Sequence, residues 1–159
     1  MITSIRPMTK RDKPAIMKIL RDTPEFKPAE VTIAEELIDS YLQDSHQSGY
    51  YVLVAEVDRL AVGYICYGPT PLTEGTWDIY WIAVAQGEQS QGVGGALIAL
   101  AEDEIKKAQG RLAIIETSSK PEYEKTRRFH NRQGYELIGR IPDFYAPGDD
   151  KLILQKRLR

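Results

Sequence analysis

The 159 residues carry 23 acidic against 21 basic side chains, a formal net charge of −2, so the chain lacks the basic face that a nucleic-acid partner normally demands. That length is enough for one domain with a core burying roughly two-thirds of the surface of the unfolded chain. A single cysteine, Cys66, excludes an internal disulfide. No apolar stretch reaches the length of a bilayer span, and residues 1–10 lack the apolar centre of a secretion signal, which leads to the expectation of a cytoplasmic protein with no membrane partner.

In chain order, Ile2–Arg6 reads as a short strand ended by Pro7. Thr9 or Asp12 can cap the helix that follows, with Pro14 in its first turn, where a missing N–H costs little. Ala15, Ile16, Ile19 and Leu20 give that helix a narrow apolar stripe. A proline-broken loop over 22–28 leads to a second helical period over 29–43, carried by Val31, Ala34, Leu37, Ile38, Tyr41 and Leu42. Tyr50–Val57 and Leu60–Tyr67 are β-rich runs joined by Asp58-Arg59, a tight hairpin, and residues 68–75 turn the chain back into the apolar run Ile79–Val84.

A helix then repeats apolar residues at Val93, Ala96, Leu97, Leu100, Ala101, Ile105 and Ala108, with Glu102 to Lys106 and Asp103 to Lys107 spaced as outward pairs. Gly110 stops it. The next strand, Arg111–Thr117, must run parallel to Ile79–Val84, because a strand–helix–strand unit of this length makes a right-handed crossover. A helix opens at Ser118-Ser119-Lys120-Pro121 and Gly134 closes it; Tyr135–Ile141 and Lys151–Leu158 finish the sheet. The predicted architecture is α+β in α/β/α layers, a mixed and mostly antiparallel sheet of about seven strands with about four helices.

Between strand and helix lies GEQSQGVGGALI, residues 87–98. Gly92, Gly94 and Gly95 fall where the first N–H groups of the helix have no internal partner, a ready anion site. The dinucleotide pattern GxGxxG fails because Leu97 stands where its third glycine belongs, and GxxxxGK[ST] is absent. What fits is QxxGxG, as Gln89-Ser90-Gln91-Gly92-Val93-Gly94. In this setting it resembles the acyl-CoA motif [QR]xxGx[GA] of the GNAT family of N-acetyltransferases. Relatives also carry NxxAxxFYxxxGF, and here Tyr123, Thr126, Phe129, His130, Gly134 and Tyr135 keep that frame with altered side chains.

The resemblance implies an acyl-CoA N-acyltransferase fold and acetyl-CoA as co-substrate. It implies a small-molecule or peptide amine as acceptor and no metal, and it leaves a homodimer open. Backbone groups of Ile82, Ala83 and Val84 would pair with the pantetheine arm and supply the oxyanion donor. Gln89, Gly92, Val93, Gly94, Gly95 and Ala96 would hold the pyrophosphate, with Tyr123, Thr126 and Phe129 as further cofactor-binding residues. Lys120, Lys125, Arg127, Arg128 and Arg132 make a basic helix near the adenosine end, or simply a solvated face. An alkylammonium with a pKa of about 10 must lose a proton before attack. Asp78 matches the position of the catalytic glutamate of the histone-acetylating members, and Glu116 is the weaker alternative.

Two residues compete as the acid that protonates the departing thiolate. His130 stands where many relatives have a tyrosine, and Tyr145 lies in a segment, 140–150, that resembles a tyrosine-bearing loop. Phe26 falls in the region that lines the acceptor side in the family, or it is a packing plug. Asp78, Asp143, Asp149 and Asp150 would form an acidic side for a cationic acceptor, although Asp149 and Asp150 equally suit a turn. Cys66, inside an apolar strand, reads as a buried structural thiol, so the expected chemistry is direct attack with no covalent enzyme intermediate. Two other functions stay open: a non-catalytic acyl-CoA sensor, and an acyltransferase to a hydroxyl acceptor.

Overall fold

A computed structural model describes residues 1–89 and 91–159, so Ser90 of the glycine motif lies outside the described residues. Its strands are β1 (Ser4–Pro7), β2 (Tyr51–Val57), β3 (Leu60–Pro69), β4 (Thr76–Val84), β5 (Leu112–Ser118), β6 (Glu136–Ala146) and β7 (Asp149–Arg157). They form one seven-stranded sheet in the order β1-β2-β3-β4-β5-β7-β6. The β4–β5 pair is parallel and every other neighbouring pair antiparallel, as the crossover rule requires. The helices are α1 (Lys13–Asp22), α2 (Pro28–Gln43), α3 (Val93–Lys107) and α4 (Glu124–Arg132).

Alternation along β2 shows how the sheet builds two cores. Val52 and Val54 point to α1 and α2, where they meet Ile16, Leu20, Ala34 and Ile38, whereas Leu53 and Ala55 point to α3 and meet Leu97, Ile98 and Ala101. Both strand faces are therefore apolar, and a strand in the middle of the sheet is covered on each side. The β2–β3 turn uses Asp58 and Arg59 at φ 49° and 69°, the left-handed pair that a two-residue hairpin needs to match strand twist.

Two sequence expectations are corrected. Glu102 does not face outward to Lys106: it is buried, accepts from the Lys156 ammonium at 2.8 Å and the Tyr135 hydroxyl at 2.8 Å, and so ties α3 to β7. Lys107 pairs with Glu104 at 3.5 Å, not with Asp103. Residues 140–150 are not a loop. β6 runs on to Ala146 and β7 starts at Asp149, joined by Pro147 and a left-handed Gly148 (φ 83°), with a register shift between Ile141 and Ala146.

β4 carries the two irregularities that matter for a site. Against β3 its register skips a residue, Cys66 opposing Trp81 and Tyr67 opposing Ile79, so Tyr80 is a bulge. Against β5 the ladder covers only Thr76 to Ile79. A bulge bends the strand and raises its local twist. Beyond Ile79 the two parallel strands part, while β5 stays paired with β7 as far as Ser118. The backbone of β4 from Tyr80 to Val84 is thereby left facing a cleft.

Candidate active site

That cleft opens into a cavity of about 490 Å³, walled by Ile82, Ala83 and Val84 of β4, by Gly92 to Gly95 at the start of α3, by Lys125, Thr126, Phe129 and Arg132 of α4, and by Gln133 just after it. The loop Thr23–Phe26 also lines it. Gly92 stands before the helix at φ 81°, a left-handed cap that glycine adopts without penalty. Among the described residues no backbone carbonyl accepts from the N–H groups of Val93, Gly94 and Gly95 in the first turn, and no acidic side chain sits in that turn to oppose an anion. Ala96 is corrected: its N–H already donates to the Gly92 carbonyl at 3.1 Å and is unavailable to a phosphate.

Gly94 has a reason the motif does not announce. A Cβ there would lie 3.0 Å from Cζ of Phe129, so glycine lets α4 close on α3 and bring Phe129 onto the cavity wall. Gln89 donates from Nε2 to the Val84 carbonyl at 3.3 Å and accepts from Lys125 Nζ at 3.0 Å, linking β4 to α4 across the mouth. Of the basic residues, Lys125 and Arg132 reach the cavity. Arg127 is spent on the carbonyls of Ser118 and Lys120, both at 2.8 Å, and Arg128 pairs with Glu124 at 3.0 Å. First-turn N–H groups with two nearby cations form a donor set that fits a pyrophosphate.

None of the catalytic candidates, Asp78, Glu116, His130 or Tyr145, lines the cavity. Asp78, on the strand before the bulge, accepts from Thr70 Oγ1 at 2.6 Å and lies 3.5 Å from the Tyr80 hydroxyl. Glu116 is held by Lys151 at 2.7 Å. Tyr145 is half exposed near the tip of β6, its ring edge-on to Phe144 at 5.0 Å. Burial, together with the carboxylates of Glu116, Asp149 and Glu30, raises its phenol above the ordinary 10.0. Tyr123 is half-buried and does not line the cavity; its one hydroxyl proton is shared between Glu30 Oε2 at 2.8 Å and the Glu25 carbonyl at 3.1 Å.

The acidic acceptor side is also corrected. Asp143 accepts from Gly148 N–H and Asp150 from Asp143 N–H, both at 2.8 Å, while Asp149 is buried against the Ser118 hydroxyl. The carboxylates of Asp143 and Asp150 build the β6–β7 turn, and that of Asp149 ties β7 to β5. The cavity residues that sequence reasoning missed are chiefly Thr23, Pro24, Glu25 and Gln133. The proline-broken stretch after α1 was the sole signal for the first three.

His130 is 3% exposed, packed between Phe129 and Tyr135, and absent from the cavity wall; its Nδ1 has no hydrogen-bond partner among the described residues. Burial pushes its pKa down to about 4 from 6.5. The folded protein thus keeps it neutral, while the unfolded chain takes up a proton once the pH falls below 6.5. Stability tied to His130 is full above that pH and is lost as the pH drops toward 4, by up to about 3 kcal/mol. Urea unfolding at pH 7.5 and 4.5 should show the wild type losing more stability than His130→Leu. Equal losses would remove His130 as the cause.

The family model described as Acetyltransferase (GNAT) family matches residues 13–135, and the chain belongs to that family. A solved structure assigned to the same family, from Desulfovibrio desulfuricans, is 38% identical, with 98% of this chain and 99% of that one covered at a TM-score of 0.94. A ribosomal-protein-alanine N-acetyltransferase from Brucella melitensis is 25% identical with coverage of 97% and 99% and a TM-score of 0.74. An aminoglycoside 6'-N-acetyltransferase solved with coenzyme A shares the fold at 16% identity, coverage of 99% and 98%, and a TM-score of 0.76. No curated protein matches the chain.

Proposed function

We propose that the protein is an acetyl-CoA-dependent N-acetyltransferase of the cytoplasm, acting on a primary amine of a small molecule or peptide by direct attack in a ternary complex. The observation that carries this reading is the continuity of one cleft. The free edge of β4 from Tyr80 to Val84 runs into the unpaired N–H groups that open α3, so one wall suits an extended amide-bearing arm and its end suits a pyrophosphate. The names of two relatives, an aminoglycoside N-acetyltransferase and a ribosomal-protein-alanine N-acetyltransferase, give nitrogen acceptors and favour an amine over a hydroxyl.

Acetyl-CoA supplies the activated acetyl group; the chain supplies position and charge. Val93, Gly94 and Gly95 N–H groups with Lys125 and Arg132 hold the phosphates, and Ile82 to Val84 align the arm. A backbone N–H of this stretch stabilises the oxyanion as it forms. Asp78, oriented by Thr70 and Tyr80, takes the amine proton through a water. Tyr145, its phenol protonated at neutral pH, returns a proton to the thiolate.

The burial of His130 away from the cavity favours one rival, an acyl-CoA sensor without an acid. Thiol release from acetyl-CoA, measured against amino acids, polyamines, aminoglycosides and peptide N-termini, separates the two. Acceptor-dependent release supports the enzyme. Tight binding of acetyl-CoA with no release by any amine supports the sensor.

A further inference from the structure

Phe26 lines the same cavity as Ile82 and packs on Trp81, the residue before Ile82, whereas Val84 at the other end of this stretch is tied to Gln89 of the loop that leads into α3. The Phe26 ring meets Trp81 edge-on, with centroids 5.3 Å apart and planes at 85°, so it rests on a partner carried by β4 itself. The loop that presents it is braced at several points. Phe26 N–H donates to the Thr23 carbonyl at 3.1 Å, and Thr23 Oγ1 donates to the Ile19 carbonyl at 2.8 Å. From α4 and the turn before it, Thr126 Oγ1 donates to Glu25 Oε2 at 3.2 Å and the Tyr123 hydroxyl to the Glu25 carbonyl at 3.1 Å.

A ligand with its phosphates on α3 and its arm along Val84 to Ile82 points its far end at this ring. We propose that Phe26, braced on Trp81, closes the acyl end of the cavity and sets a short-chain limit on the acyl group accepted. The inference rests on the reading that the cavity takes acyl-CoA. A wall discriminates chain length only if it resists displacement, and the clasp of the loop to α4 supplies that resistance. Displacing Phe26 means breaking the edge-to-face pair and straining two hydrogen bonds to Glu25. One methylene in an apolar pocket changes discrimination by roughly 10- to 200-fold.

Calorimetric titration of CoA, acetyl-CoA, propionyl-CoA and butyryl-CoA into wild type, Phe26→Ala and Phe26→Leu tests this without knowledge of the acceptor. Wild type should bind CoA and acetyl-CoA comparably and butyryl-CoA at least about tenfold more weakly. Phe26→Ala should bring butyryl-CoA to within a few-fold of acetyl-CoA while leaving CoA unchanged. Phe26→Leu, the milder change should the alanine variant unfold, should admit propionyl-CoA and still resist butyryl-CoA. Equal affinity of wild type for all chain lengths, or unchanged discrimination in a folded variant, would overturn the role of Phe26 alone. No binding of any CoA form would overturn the acyl-CoA reading beneath it.

Discussion

Gly94→Val should weaken acetyl-CoA binding by roughly ten- to a hundredfold. The added Cβ begins 3.0 Å from Cζ of Phe129, tighter than most packed contacts, so the ring must give by a few tenths of an ångström, and the valine methyls beyond the Cβ crowd it further. Overpacking of this kind costs about 1–3 kcal/mol, and that amount withdrawn from binding corresponds to the stated loss. Gly92→Ala is the informative contrast. Its Cβ meets nothing within 4 Å, but φ is 81°, so it should cost about 1–2 kcal/mol of stability and leave Phe129 in place. Adding Phe129→Leu to Gly94→Val should return most of the lost affinity. No recovery in a folded double variant would mean that the valine meets the ligand and not the ring.

Tyr145→Phe should lower turnover by roughly two to four orders of magnitude, the range that general acid catalysis supplies, with acetyl-CoA affinity little changed. His130→Leu should keep most of the activity. The two residues differ in what surrounds them. Tyr145 is half exposed and its phenol is raised by burial and by Glu116, Asp149 and Glu30, so it stays protonated across the physiological range. His130, at about 4, is a neutral imidazole sealed beside Phe129 and Tyr135, with little acid to offer at pH 7. Initial rates of the two variants with the best amine from the panel decide the matter. Loss in His130→Leu with full activity in Tyr145→Phe would exchange the roles.

Much of this was legible in the residues. The order of strands and helices, the parallel β4–β5 pair and the helix opening at Val93 followed from periodicity, glycine placement and crossover handedness. What escaped depends on contacts between distant segments. Glu102 sits at a spacing suited to an exposed pair with Lys106, and only the packing of β7 against α3 reveals Lys156 and Tyr135 as its partners. The stretch 140–150 is rich in turn formers, yet the pairing of Asp149 with Ala146 carries the ladder almost to the tip. His130 occupies a motif position that suggests chemistry, and its burial depends on how α4 meets Tyr135. The loop after α1 shows no periodicity, so its place on the cavity wall was not legible beyond the aromatic Phe26.

In the proposed function one cleft, running from the free edge of β4 to the first turn of α3, receives acyl-CoA. Backbone amide resonances of the 15N-labelled protein, followed while CoA is added to saturation, test it most directly. Large shifts are expected at Ile82 to Val84, at Val93 to Gly95 and at Lys125 and Phe129, with Tyr51 and Tyr67, beside the C-terminal end of α3, unmoved. Shifts absent from the α3 first turn and from β4 at saturating CoA would contradict it.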